Sequence, residues 1–304
     1  MIGEEIRDEV AEKVERGSAG PRTAVYVIHN HDDARLAYLL PALERLRAQV
    51  PLLQATSLVG YQASFAGPQS EWKFRLAQAL AWRWEERCQR RFFERTRPFM
   101  ERARKLAADI HSVWKAFRRP LTAYDERFHY IHMALTDKHL RVLAAFMESD
   151  CELAVVCEDD VIVKEESADR LETIIALSAK VDPSSYIYVD LGGGFSIKTL
   201  SVDNLRAPPQ QGDPDFLHRF RKKVPNTTCC FLINRAYAAR MYQTVTRFPE
   251  LKRLAVGRTF ITAAYMMGDN ETRAGLYALT EPTVVQHGSA TGDYQTSINP
   301  VVFK

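Results

Sequence analysis

Apolar runs of strand length alternate with segments of helical periodicity along most of this 304-residue chain. The runs TAVYVI, LAVVC and CCFLI are rich in β-branched and aromatic residues or cysteine, and each leads, directly or through a polar turn, into a helical pattern. Strands that alternate with helices are typical of sheets built by crossover connections. The order therefore predicts an α/β fold with a Rossmann-like, mainly parallel central sheet and flanking helices.

Residues 71–119 interrupt this alternation with a basic, aromatic-rich stretch. They contain 14 basic and 6 acidic residues, a local net charge of +8 in a chain whose total is only +3. We interpret 68–125 as a helical insertion within a domain that covers 20–304. Such helices suit an anionic membrane surface, while their aromatic residues could equally form a small core beneath solvated arginines. Nucleic acid is the less favoured partner, because the overall charge is mild.

Cysteine usage and hydropathy favour a cytoplasmic protein. The five cysteines include no C-x-x-C pair, which argues against a disulfide scaffold or a zinc knuckle. The first residues lack the apolar core of a secretory signal, and no apolar run reaches the roughly 18 residues that a membrane span requires. We expect a cytoplasmic location, with peripheral contact at the inner face of the membrane through 71–119.

Three consecutive carboxylates, Glu158, Asp159 and Asp160, follow the strand-like run in VVCEDDVIV. In open α/β sheets, ligands bind beyond the carboxyl ends of the strands, which is where this run places the three acids. Crowded carboxylates are costly to bury unless a cation offsets their charge, and Mn²⁺ or Mg²⁺ prefers oxygen ligands. A solvated acidic turn is the alternative.

Five segments resemble blocks of one enzyme family. LTDKHLRVLAAFMESDCELAVVCEDDVIV (135–163) resembles the core block of the family 25 glycosyltransferases, the lipooligosaccharide galactosyltransferase type. YVDLGGGF (188–195), TTCCFLINRAYAARM (227–241) and EPTVVQHGSATGDYQTSI (281–298) resemble the blocks that follow in the same order. VYVIHNHDDAR (25–35) resembles the opening strand.

The resemblance implies a GT-A fold and a metal-dependent, inverting hexosyltransferase. Its DXD-like acidic motif would hold Mn²⁺ or Mg²⁺ through Glu158 and Asp160, with His287 as a third ligand or, alternatively, a hydrogen-bonded turn histidine. Asp159 would orient the donor and is the tentative catalytic assignment. The donor would be a nucleotide-sugar, with a UDP-sugar and galactose as first candidates. The acceptor would be a saccharide or glycolipid in lipopolysaccharide or other surface-glycan biosynthesis.

Further donor-binding residues follow from family position, and each has a structural alternative. His29, Asn30 and Arg35 could form an exposed loop, His139 could pack within its helix, and Asp190 could cap the following glycine turn. The complete donor-binding set is His29, Asn30, Arg35, Lys138, His139, Glu158, Asp159, Asp190 and Ser289.

The general base has no candidate. The family commonly has a Pro-x-Asp-x segment before its last helix, where this chain has Gly257, Arg258 and Thr259. This departure keeps open a non-catalytic binding protein with a GT-A-like fold. A metal-dependent nucleotidyltransferase or phosphotransferase is a third alternative, disfavoured because the chain has neither a P-loop nor a G-x-G-x-x-G motif. The sequence specifies neither donor sugar, acceptor, linkage nor oligomeric state.

Overall fold

The computed structural model describes the central part of the chain with gaps. The described residues are 21–29, 33–60, 79, 81, 114, 123–164, 166–192, 197, 205–223, 228–254, 256–266 and 273–287. Nearly all of the basic segment 71–119 lies outside them, so the helical insertion over 68–125 and its membrane contact stay predictions.

Nine strands, five α-helices and one 3-10 helix are formed by the described residues. Their bounds are β1 Thr23–His29, α1 Asp33–Gln49, β2 Leu53–Gly60, α2 Ala123–Glu148, β3 Leu153–Glu158, β4 Val161–Val163, α3 Ser167–Ser178, β5 Tyr186–Asp190, β6 Leu217–Arg219, β7 Cys230–Asn234, α4 Arg235–Arg247, the 3-10 helix Pro249–Arg253, α5 Val256–Met266, β8 Ala274–Thr280 and β9 Val285–His287.

A seven-stranded sheet organises the fold, with strand order β2-β1-β3-β7-β5-β8-β6. Strands β1, β2, β3, β5 and β8 run in one direction, whereas β6 and β7 run in the other. This confirms the prediction of a mixed α/β fold with a mainly parallel sheet. The reversal of β7 between β3 and β5 was not predicted, because an apolar run does not encode strand direction. Strands β4 and β9 form a separate antiparallel pair.

Two apolar clusters cover the two faces of the sheet, because successive strand residues point to opposite sides. Helices α2, α4 and α5 pack on one face and α1 and α3 on the other. The first cluster includes Tyr26, Phe146, Val156, Tyr188, Phe231, Tyr237 and Phe260. The second includes Val25, Leu43, Val155, Ile174, Val189 and Leu232.

Helix α1 continues through Pro41, a residue type that ordinarily kinks or ends a helix. The proline lies on the exposed side of the helix, while Leu39, Leu43 and Leu46 are buried against the second cluster. A proline costs one backbone hydrogen bond within a helix. Burial of the apolar face offsets that cost, so the element remains one helix.

Arg235, the first residue of α4, fixes the junction between α2 and β3. Its guanidinium group donates hydrogen bonds to the backbone carbonyls of Phe146, Met147, Ser149 and Cys151, at 2.6–3.1 Å. Carbonyls at the end of a helix lack partners within it, and a cation there also complements the helix dipole. This contact sets where β3 begins, and hence where its acidic end lies.

Four of the five cysteines lie among the described residues. Cys151, Cys157, Cys229 and Cys230 are buried and free, so these four form no disulfide, as predicted. Cys88 lies outside the described residues. Within the described ranges, no helix combines the length and the apolar character needed to cross a bilayer.

Candidate functional site

The predicted polar residues meet at one edge of the central sheet. Since β1, β3 and β5 run in the same direction, their carboxyl ends bring His29, Glu158 and Asp190 to the same edge. Asp159 and Asp160 form the turn that follows Glu158 and leads into β4. This is the edge at which open α/β sheets bind their ligands.

The acidic motif is largely withdrawn from solvent. Asp159 is 3% and Asp160 9% exposed, and the Glu158 side chain is 16% exposed. A solvated acidic turn, the alternative left open by the sequence, is therefore wrong for these three residues. Their burial has a free-energy cost that neighbouring groups or a bound cation must offset.

Asp159 is held by Arg35 in a buried ion pair. The Arg35 Nη1 atom lies 3.0 Å from Asp159 Oδ1, and the two side chains are 15% and 3% exposed. Arg35 lies in the first turn of α1, 124 residues away in sequence. The sequence proposed both as separate donor contacts, whereas the structure pairs them. Asp159 is thus fixed in orientation, and Glu158 and Asp160 are the better cation ligands.

Glu158 has a pKa far from its ordinary value. Burial raises its pKa to about 8, and the charges of Asp160 and Asp159 add to that effect. The Thr228 hydroxyl donates a hydrogen bond to its Oε1 atom at 3.2 Å and, with the charge of Lys138, opposes the rise. The three carboxylates are therefore not all ionised near neutral pH unless a further positive charge enters the site.

His139 lies beside Glu158 and is also packed within its helix. Its Nδ1–H donates to the Leu135 carbonyl at 2.9 Å, and its Nε2 atom is 3.7 Å from Glu158 Oε1. Its ring stacks on Phe231 and meets Phe260 edge-on. Burial lowers the pKa of His139 to about 4. The imidazole is accordingly neutral at pH 7 and provides no positive charge for Glu158.

Lys138 supplies a cation on the same side of the motif. It is buried, which lowers its pKa, while the charges of Asp159 and Glu158 act in the opposite direction. The structure therefore places Lys138 within reach of the charges of the acidic motif. Its contact with a donor stays a prediction.

Asp190 is fully buried and shapes the turn after β5. Its Oδ1 atom accepts a hydrogen bond from the Gly192 N–H at 3.1 Å, which is the capping role offered as its alternative. Asp190 lies opposite Phe231 of β7, and Phe231 lies opposite Val156 of β3. Two strand spacings, about 10 Å, therefore separate the ends of β5 and β3. A donor or acceptor contact by Asp190 stays a prediction.

Sequence reasoning missed Lys223 and Thr228. Lys223 is 3% exposed, and its Nζ atom lies 4.0 Å from the centroid of the Tyr188 ring. Burial lowers its pKa to about 7, against the opposing charge of Asp190. A lysine in an RKK run is more often a surface charge, so the sequence carried no signal for it. Thr228 lies two residues before β7. Its position beside a strand end was the only feature of the sequence that could have indicated a place in the site.

Other predicted residues are placed only in part. The backbone of His287 pairs with Val161, the residue after Asp160, so the register brings the predicted ligand close to the acidic motif. His29 is buried at the end of β1. Asn30 and Ser289 lie outside the described residues.

The position where the family has an acidic segment is occupied by a structural hydroxyl. Thr259 is buried, and its Oγ1 atom donates to the Leu251 carbonyl at 2.7 Å. This contact ties α5 to the 3-10 helix. The general base therefore stays unassigned, as the sequence suggested.

Two carboxylates of the site are of the kind that could hold a hard divalent cation. The described residues include no group of three or more His, Cys, Asp and Glu side chains arranged to hold a metal. Glu158 and Asp160 nevertheless supply two carboxylates whose mutual repulsion a cation relieves, and Mg²⁺ commonly takes its remaining ligands from water and substrate phosphates. The residues fit such an ion.

Neither a family model nor a curated protein matches the sequence.

Proposed function

We propose that the protein is a metal-dependent, inverting glycosyltransferase of the GT-A type. It transfers a sugar from a nucleotide-sugar donor, with UDP-sugars as first candidates, to a saccharide or glycolipid acceptor. The observation that carries the proposal is the burial of three crowded carboxylates at the carboxyl end of β3, with the pKa of Glu158 raised to about 8. A cation would relieve the repulsion between these carboxylates, and a diphosphate is the ligand that commonly accompanies one.

Each residue of the site would have a separate role in donor binding. Glu158 and Asp160 would hold Mn²⁺ or Mg²⁺, and His287 is the third candidate ligand. Bound there, the ion would supply Lewis-acid stabilisation of the negative charge on the departing diphosphate. Arg35 keeps Asp159 in one orientation, so that its carboxylate can accept hydrogen bonds from donor hydroxyls. Lys138 places a further positive charge beside the acids, which suits an anionic donor.

The acceptor side of the reaction is supported less directly. Inversion requires a base that removes the proton of the acceptor hydroxyl. The residues at the position of the expected acidic segment, Gly257, Arg258 and Thr259, include no acid for that step. A non-catalytic nucleotide-sugar-binding protein is therefore the second candidate, favoured by the structural use of the Thr259 hydroxyl. Surface-glycan acceptors, galactose transfer and membrane contact through 71–119 rest on the sequence alone.

A nucleotide-release assay separates these candidates. Purified protein is incubated with a panel of UDP-hexoses and UDP-N-acetylhexosamines, with Mn²⁺ or with chelator, and with mixed saccharide and glycolipid acceptors. We expect Mn²⁺-dependent UDP release that D160N reduces by at least about 100-fold, because it removes a proposed metal ligand. E152Q, which changes an exposed glutamate just before β3, is the matched control.

The outcomes assign the function. Release that is unchanged by chelator and by D160N contradicts the metal-dependent mechanism. Metal-dependent donor binding without release with any acceptor favours the non-catalytic candidate.

A further inference from the structure

Lys223 is enclosed by aromatic rings on the face of the sheet that α2, α4 and α5 cover. Its Nζ atom lies 4.0 Å from the ring centroid of Tyr188 and 5.5 Å from those of Tyr237 and Phe260. These three rings, from β5, α4 and α5, form what we call the aromatic cage. The negative faces of aromatic rings attract a cation, and the attraction is stronger when both are desolvated. The cage therefore holds the lysine head group at one point.

The caged ammonium group acts on Asp190. Tyr188, over which the Lys223 Nζ atom lies, and Asp190 are alternate residues of β5 and so point to the same face of the sheet. Burial lowers the pKa of Lys223, and the charge of Asp190 opposes that effect. Asp190 in turn accepts the Gly192 N–H. When protonated, the Lys223 side chain thus attracts the carboxylate that shapes the turn after β5.

That turn packs against two segments of the candidate site. A Cβ atom at Gly192 would overlap Cys229 Sγ and crowd the Cys230 backbone N, so only glycine allows the observed contact with the start of β7. Thr228, which donates to Glu158, precedes this contact directly. On the other side, the Leu191 carbonyl accepts hydrogen bonds from the N–H groups of Val284 and Val285 at 2.9 and 3.0 Å.

Both contacts place the turn beside the segments that carry the proposed metal ligands. Val285 begins β9, the strand that ends at His287 and pairs with β4 after the acidic motif. Thr228 contacts Glu158 itself. The turn after β5 therefore lies between the segments that carry Glu158 and His287, and its placement depends on Asp190.

We propose that Lys223 is a positioning residue, which fixes the turn after β5 through Asp190 and so sets the side of the site that receives the sugar of the donor. The inference rests on the proposed function. The acidic motif, Arg35 and Lys138 would bind the diphosphate and nucleotide, whereas the β5 turn, two strands away, would face the hexose. Lys223 itself is too deeply enclosed to be a catalytic residue.

This division of the site predicts that a change at Lys223 lowers the affinity for a UDP-sugar more than the affinity for UDP. Calorimetry compares UDP with the UDP-sugar that wild type binds most tightly, both with Mn²⁺, in wild type and K223M. We expect K223M to weaken the UDP-sugar at least about tenfold and UDP by less than about threefold, since positioning residues commonly change affinity by 10–100-fold. K222M, at the neighbouring and more exposed lysine, should leave both affinities unchanged.

Chemical rescue separates positioning from general stability. K223A removes the ammonium group and leaves room in the aromatic cage, so propylammonium should restore UDP-sugar affinity and raise the melting temperature of K223A. Neither K222A nor wild type should respond. If K223A or K223M fails to fold even with propylammonium, Lys223 is required for the fold and the inference is wrong.

Failure of this inference differs from failure of the proposed function. If wild type binds neither UDP nor any UDP-sugar, the proposed function fails and this inference fails with it. If wild type binds both ligands but K223M weakens them equally or not at all, the transferase proposal stands and the role of Lys223 is refuted. Equal affinity of wild type for UDP and for every UDP-sugar also refutes it.

Discussion

Replacing Glu158 by glutamine should stabilise the protein without metal while removing metal-dependent donor binding. The glutamate pKa is 4.5 in its ordinary state and about 8 in the folded protein, chiefly because the side chain is buried. Between these pH values the folded state holds one proton more than the unfolded state. Stability therefore falls as pH rises from about 4.5 to about 8, and a neutral amide does not suffer this loss.

The size of the effect follows from the two pKa values. Their difference corresponds to at most about 5 kcal/mol, reached above pH 8, because one pKa unit is about 1.4 kcal/mol. At pH 5 the same relation gives less than about 1 kcal/mol. Solvent at the 16% exposed side chain screens part of the charge, so we expect a gain of about 2–4 kcal/mol for E158Q at pH 8.5.

Urea denaturation at pH 5, 7 and 8.5, in chelator, measures this gain. His139 and Lys223, whose pKa values are lowered to about 4 and about 7, contribute stability that increases with pH from about 4 to 6.5 and from about 7 to 10.5. These contributions are the same in wild type and in E158Q, so they cancel when the two free energies of unfolding are subtracted. E152Q, at an exposed glutamate, is the matched control and should show no pH-dependent gain. A gain for E158Q that is equal at pH 5 and 8.5, or a loss at pH 8.5, refutes the electrostatic account of the site.

Three further predictions concern the framework around the site. R35M should lower the free energy of unfolding by about 3–5 kcal/mol, because it leaves the Asp159 carboxylate buried without its guanidinium partner, and R35M/D159N should recover much of that loss in urea denaturation. G192A should destabilise by about 1–3 kcal/mol through overlap with Cys229, and C229A should make the same change cheaper, which a double-mutant cycle measures. N234A should cost about 2 kcal/mol in thermal or urea unfolding, since the Asn234 side chain caps α4 and also bonds the backbone that leads into β5. Additive G192A and C229A losses, or an R35M/D159N protein no more stable than R35M, would contradict these contacts.

The position of the acidic motif could be predicted because it depends on local pattern. An apolar run that ends in Glu158 places the acids at a strand end, and the sheet rule places that end at the ligand-binding edge. The capping role of Asp190 was likewise among the alternatives, because a glycine turn follows it directly. These inferences require only periodicity and strand direction within one α/β unit.

The partners of those residues could not be predicted, because they come from distant segments. The Arg35–Asp159 pair joins residues 124 positions apart, and either residue alone suits an exposed loop. Lys223 is surrounded by three rings that β5, α4 and α5 contribute. The RKK run that contains this lysine gives no indication of those contacts. Helix α1 passes Pro41 for the same kind of reason, since packing of the opposite face overrides a local preference.

The most direct test of the central claim is a calorimetric titration of wild type with UDP-sugars, with Mn²⁺ and with chelator. The account predicts saturable binding of at least one UDP-sugar with Mn²⁺, and an affinity at least about tenfold lower with chelator or in D160N, since Asp160 would hold the ion and the ion would neutralise the donor diphosphate. No binding of any nucleotide-sugar in the presence of Mn²⁺, or full metal-dependent affinity in D160N, would contradict it.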